Sequence, residues 1–137
     1  METEPVFTVC DYWHWPDRYS LALRWWNGHG HVGPFPETML PPLALFILAD
    51  GEPVAFLSCY QALGIGVAIL DWVLTKPGQS LGLSRKALEF GQMAIREIIR
   101  PDGYGVIMAY TLPGIARTLQ RGGWEAAGEK VHLISKV

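Results

Sequence analysis

The chain has 137 residues, of which 50% are hydrophobic and 18% charged, a balance that excludes a mainly disordered polymer. Eleven Lys and Arg against thirteen Asp and Glu leave a net charge of -2, so no global basic field captures nucleic acid. A nucleic-acid partner is therefore disfavoured, though compatible with a local patch, and one domain over residues 1–137 fits the length.

Residues 6–9 form a short β-prone run ending at Cys10-Asp11. Tyr12-Trp13-His14-Trp15-Pro16 follows, and a residue before proline avoids the helical region. Pro16-Asp17 reads as a first helical turn, with the helix running to about Asn27 and stopping at Gly28. Residues 29–42 hold four prolines and read as a loop. Two apolar runs, residues 43–48 and 53–60, flank Asp50-Gly51, which signals a hairpin. Residues 66–75 predict a third, central strand buried on both faces. Residues 79–100 give the longest helical pattern, with Leu81, Ser84, Leu88, Gly91, Ile95 and Ile98 on its buried face. A strand over 104–110, a short helix over 113–121 and a last strand over 131–134 close the chain.

The strand-helix-strand unit around residues 79–100 predicts a parallel pair, and the Asp50-Gly51 hairpin an antiparallel one. Cys10 and Cys59 make no disulfide framework, and the absence of CxxC argues against a zinc ribbon. The acidic start, Met1-Glu2-Thr3-Glu4-Pro5, lacks an apolar signal core. The longest apolar stretch, residues 40–49, is too short to span a bilayer. A soluble cytoplasmic protein with no membrane partner is the expectation.

The chemistry concentrates where the third strand meets the long helix. After Asp71-Trp72-Val73-Leu74-Thr75-Lys76 comes the Pro77-Gly78 break, then Gln79-Ser80-Leu81-Gly82-Leu83-Ser84. Backbone N–H groups at a helix start are unpaired and carry partial positive charge. A glycine among them lets an anion approach, and a pyrophosphate suits such a turn.

This arrangement resembles the GNAT superfamily of acyl-CoA N-acyltransferases, whose signature is Q/R-x-x-G-x-G/A at this place. Gln79 and Gly82 match, Ser84 replaces the last small residue, and the stretch between Pro77 and Gln79 is a residue shorter than usual. Gly123-Trp124-Glu125, after a strand and a short helix, stands where the family shows G-F-E. The resemblance implies an α+β fold: a mixed, mostly antiparallel central sheet with helices on both faces. It implies acetyl-CoA, or another acyl-CoA, as cosubstrate. Its binding residues would be Val73 or Leu74, whose backbone N–H would hold the thioester carbonyl, with Gln79, Ser80, Leu81, Gly82, Leu83, Ser84 and Arg85.

Asp71 sits in an otherwise apolar strand where the family often has a basic glutamate, so it is the candidate general base. The family tyrosine that protonates the departing thiol would fall near Leu119, which cannot donate, and Tyr110 is the nearest substitute. His14, His29 and His31 are weighed as loop residues, as a substrate-side base and, least, as metal ligands. Trp13, Trp15, Trp25 and Trp26, with the 29–42 loop, are expected to wall an apolar or flat-ring acceptor cleft. Trp25 and Trp26 are adjacent and cannot face one way, and Cys59 reads as a small core residue.

Transfer of an acyl group to an amine by direct attack is the leading function, with a small-molecule or protein amine as acceptor. A catalytically degenerate binding or regulatory protein and an acyltransferase acting on a nucleic-acid base are the alternatives. A homodimer is compatible with all three.

Overall fold

The structure is a computed structural model that describes residues 3–31, 33, 35–109, 111 and 113–127. In chain order it contains β1 (Phe7–Asp11), α1 (Arg18–Gly28), β2 (Leu43–Ala49), β3 (Glu52–Gln61), β4 (Val67–Thr75), α2 (Leu81–Ile99), β5 (Val106–Ala109) and α3 (Pro113–Arg121). Single 3-10 turns occupy Tyr12–His14, Glu37–Met39 and Arg100–Asp102. The five strands form one sheet in the order β1-β2-β3-β4-β5. The first three pairings are antiparallel, and β4 with β5 is parallel. The expected mixed, mostly antiparallel α+β fold is observed. The strand expected over 131–134 lies outside the described residues, as does Tyr110.

Asp50-Gly51 turns β2 into β3 with both residues at positive φ, 48° and 85°, which suits the right-handed twist of a two-residue hairpin. Strand alternation then divides the core in two. Leu45, Ile47, Leu57 and Cys59 pack under Ala87, Leu88, Ile95 and Ile99 of α2, with Leu119 of α3. Ala44, Phe46, Phe56 and Leu74 pack on the other face under Ala22 and Trp25 of α1, with Tyr12 and Phe35. Gly91 sets the approach of α2, because a Cβ there would stand 2.7 Å from Leu57 Cδ1 and 3.0 Å from Ile47 Cδ1.

Several boundaries differ from the sequence expectation. Helix α1 starts at Arg18, and Asp17 stands before it in the left-handed region at φ 53° without a capping bond. Gly28 is the last helical residue rather than the stop. The 29–42 segment is not wholly irregular, since it holds the Glu37–Met39 turn. Leu81 and Ile98 are exposed, at 89% and 44%, because α2 rotates Ala87, Gln92 and Ile99 inward instead. The middle strand, buried over most of its length, is β3 and not β4.

Cys59 is 1% exposed, and burial pushes its thiol up to about 11. The native protein at pH 8 should therefore leave Cys59 unmodified by a thiol reagent, while the unfolded chain reacts at both cysteines. Mass spectrometry after a short alkylation pulse checks this. Rapid native labelling of Cys59 would show that the α2 face of the sheet opens readily.

Candidate functional site

The site begins with one extra residue in β4. Ser58 pairs with Asp71 and Phe56 with Leu74, so two steps along β3 face three along β4. This bulge holds Trp72 at φ 53°. It also reverses which residues face which helix. Ala68 and Leu70 pack toward α2 before the bulge, whereas Trp72 and Leu74 pack toward α1 after it. Asp71 shares the α1 face with its cross-strand partner Ser58, whose hydroxyl donates to Asp71 O at 2.6 Å. The Asp71 carboxylate accepts the Trp72 N–H at Oδ1, 2.8 Å away, and so pins the bulge.

Among the described residues the pairing of β4 with β5 stops short of the bulge. It runs from Val67↔Val106 to Leu70↔Ala109, while β4 continues to Thr75. Lys76 N–H donates to Val54 O on the β3 side at 3.0 Å. Alternation turns the N–H and C=O groups of Val73 and Thr75 the other way, toward the open edge. Of the two residues considered for holding a carbonyl oxygen, Val73 therefore has the N–H with the right direction. Leu74 points its N–H to β3 and buries its side chain, 2% exposed. His29 reaches the same edge from the end of α1, with Nε2 2.6 Å from Thr75 O.

The turn after β4 completes the site. Ser80 caps α2, its Oγ accepting the Leu83 N–H at 3.1 Å, and Ser84 N–H reaches Ser80 O at 3.1 Å. The N–H groups of Leu81 and Gly82 in the same turn have no intrahelical partner. A Cβ placed on Gly82 would meet nothing within 4 Å, so no packing demands glycine here. Gln79 lies outside the helix and turns inward, its Nε2 donating to Val54 O at 2.9 Å and to Ser84 Oγ at 2.8 Å. Its Oε1 is buried without a hydrogen-bond partner among the described residues. Ser84, a departure from the family signature, thus has a positive role as the anchor of Gln79. Arg85 is exposed on the next turn.

Helix α1 stands directly over this turn, because Gly28 approaches Pro77 so closely that a Cβ would lie 2.7 Å from its Cγ. The expected tryptophan wall is redistributed. Trp25 is 4% exposed and belongs to the core, edge-on to Phe46. Trp13 and Trp15 pack around Tyr12 and Phe46, toward the β1 side of the sheet. Two of the four reach the 29–42 loop, Trp13 donating to Pro41 O at 3.3 Å and Trp26 to Gly33 O at 2.8 Å, and Trp26 also meets Trp72 at 5.8 Å. His14 pairs with Asp11 at 2.8 Å, away from the bulge, and Leu119 is a buried core residue of α3.

The structure thus gathers Asp71, Val73, Ser80, Leu81, Gly82 and Leu83 along one open strand edge and the helix start that follows it. Trp72, Tyr60 and the His29 contact were not foreseen. A tryptophan beside an aspartate in an apolar strand carries no sequence mark of a bulge.

No protein-family model matches the chain, and no curated protein matches it. Solved structures do. An aminoglycoside acetyltransferase from an uncultured soil metagenomic sample, in complex with sisomicin, aligns at TM-score 0.64 and 14% identity over 96% of this chain and 95% of that one. A ribosomal-protein-alanine N-acetyltransferase from Brucella melitensis biovar Abortus 2308 aligns at 0.62 and 14% identity over 98% and 100%. The aminoglycoside N-acetyltransferase AAC(6')-Iy, in complex with CoA, aligns at 0.59 and 14% identity over 100% and 99%. The chain has the GNAT fold. Among the described residues no helix is long and apolar enough to cross a membrane.

Proposed function

We propose that the protein transfers an acyl group, acetyl in the simplest case, from an acyl-CoA to an amine. The observation that carries this reading is the open β4 edge running into the Gly82 turn. Among the described residues no strand pairs with this edge, whose Val73 N–H and C=O suit an extended amide-bearing chain, Thr75 O already meeting His29. Leu81 and Gly82 N–H groups at the positive end of α2 suit a pyrophosphate. The two stand in the order that a thioester, a pantetheine arm and a pyrophosphate require. The structure of a GNAT-fold relative in complex with CoA supports the same reading.

An acyl-CoA supplies an activated carbonyl. The Val73 N–H is placed to polarise that carbonyl oxygen and to strengthen its bond as negative charge develops. Asp71, two residues earlier, lies on the α1 face, from which an amine would arrive. Its carboxylate first holds the ammonium, then accepts a proton from it directly or through a water. The nitrogen, which still carries two protons, then bonds to the carbonyl carbon; the C–S bond breaks, the nitrogen loses one of those protons to solvent as the amide forms, and the sulfur leaves as the CoA thiolate. Solvent can protonate that thiolate. Tyr110, the remaining candidate acid, lies outside the described residues.

Calorimetry and thermal unfolding with CoA test the reading. At a CoA concentration 100 times its Kd, a ligand specific for the native state stabilises by about 2.7 kcal/mol and raises the melting temperature accordingly. No heat and no shift would remove the acyl-CoA assignment. Binding without thiol release from acetyl-CoA, across a panel of amines, would instead favour a binding protein on this fold.

A further inference from the structure

The bulge that holds Asp71 also begins a continuous strip of aromatic rings. The Trp72 indole donates to Tyr60 OH at 2.8 Å, and that hydroxyl donates in turn to Met39 O. Trp72 meets Trp26 with ring centroids 5.8 Å apart, and Trp26 stacks on His31 at 4.2 Å. Tyr60, Trp72, Trp26 and His31 are all half-buried. Asp71 lies at the Tyr60–Trp72 end, close enough for its charge to disfavour the Tyr60 phenolate, an effect secondary to burial. One oxygen of Asp71 is taken by the bulge, and its Oδ2 has no partner among the described residues.

The other carboxylates around α1 are spoken for. Glu37 accepts from Tyr12 at 2.7 Å and Arg18 at 3.4 Å, and Asp11 holds Trp13 N–H and His14. Asp17 stands at the far end of α1, about 16 Å along the axis from the end that meets Pro77. Among the described residues the strip therefore offers one negative charge beside half-buried aromatic rings. A polycationic amino sugar needs several carboxylates, since each ammonium that loses water unpaired is costly. A single ammonium on a flat apolar body needs one carboxylate, and ring faces attract both the body and the charge.

We infer that the acceptor is a monocationic arylalkylamine, its ammonium on Asp71 beside Val73 and its ring laid along Trp72 and Trp26. This rests on the acyl-transfer reading, because it takes the open edge at Val73 as the reacting point. The aromatic body runs away from that point toward the loop that carries His31.

The test titrates the full chain, saturated with CoA, with four amines: 2-phenylethylamine, butylamine, spermidine and sisomicin. Heat and the indole fluorescence are read, and acetyl transfer from acetyl-CoA is measured in parallel. 2-Phenylethylamine should bind about two- to tenfold more tightly than butylamine, the range a stacked ring supplies. It should also outdo spermidine and sisomicin, and shift the indole emission. Asp71→Asn should weaken phenylethylamine binding at least about tenfold while CoA still binds, since a charged hydrogen bond is lost. Equal binding of phenylethylamine and butylamine, or preference for the polyamines, overturns the acceptor class and leaves acyl transfer standing. Absence of CoA binding in the saturation step overturns both.

Discussion

Replacing Gly82 with Val should abolish CoA binding and leave the fold standing. The two effects separate because of what surrounds this glycine. Among the described residues beyond its own helical turn, a Cβ at Gly82 meets no atom within 4 Å, and its backbone is an ordinary first turn of α2. Glycine costs a helix interior up to about 1 kcal/mol relative to alanine, so on stability alone another residue would serve better. The added side chain fills the space through which an anion reaches the Leu81 and Gly82 N–H groups. Each such bond to a charged group contributes roughly 1.5–3 kcal/mol, so losing both weakens CoA by about 10²-fold or more. Gly82→Ala should show the same opposition in smaller measure, with an unchanged or higher melting temperature and weaker CoA. Calorimetry with each variant, alongside thermal unfolding, reads both quantities. A Gly82→Val variant that keeps its CoA affinity would place the pyrophosphate elsewhere. A variant that chiefly unfolds would make Gly82 structural.

How far the sequence reached is best seen by comparing two neighbouring segments. The turn at Gln79–Ser84 was legible because its chemistry is local. A proline-glycine break, a capping serine and a glycine within one helical turn specify a helix start whatever the rest of the chain does. Even there the side chain of Gln79 pointed inward, since its partners, Val54 O and Ser84 Oγ, are fixed by the β3–β4 pairing. The β4 bulge was not legible. Residues 66–75 read as a nearly all-apolar run with Asp71 its one charge, and such a run has no period in which an inserted residue can show. The insertion depends on which β3 residue stands opposite, a long-range pairing that leaves no mark on Trp72 itself.

The tryptophans show the same division. That Trp25 and Trp26 must diverge follows from helix geometry, and they do, one into the core and one to the loop. Which of Trp13, Trp15 and Trp26 meets the site depends on how α1 crosses the sheet. That crossing is set by the contact of Gly28 on Pro77, between residues 49 positions apart in sequence. The exposure of Leu81 has a similar cause. A helical repeat read from Leu81 onward fits the pattern, yet among the described residues no strand lies against the first turn to bury it.

Asp71→Asn should slow acyl transfer by about 10²–10⁴-fold with CoA affinity nearly unchanged, the range expected when a general base is lost. Asparagine suits the test because the carboxylate does two things. Its Oδ1 accepts the Trp72 N–H and holds the bulge, and an amide oxygen accepts that bond equally well. The strand edge, the Val73 N–H and the α1 face therefore keep their places, while the charge and the proton acceptor are lost. Asp71→Ala removes the acceptor as well, and should additionally destabilise the fold by about 1–3 kcal/mol by leaving the Trp72 N–H unpaired in a half-buried strand. The order of the two variants decides between the roles. If Asn matches the wild type in a single-turnover measurement and only Ala is impaired, Asp71 serves the bulge alone and the amine loses its proton elsewhere. If both are slow and Asn melts with the wild type, the carboxylate acts on the amine, and the bulge exists to bring it there.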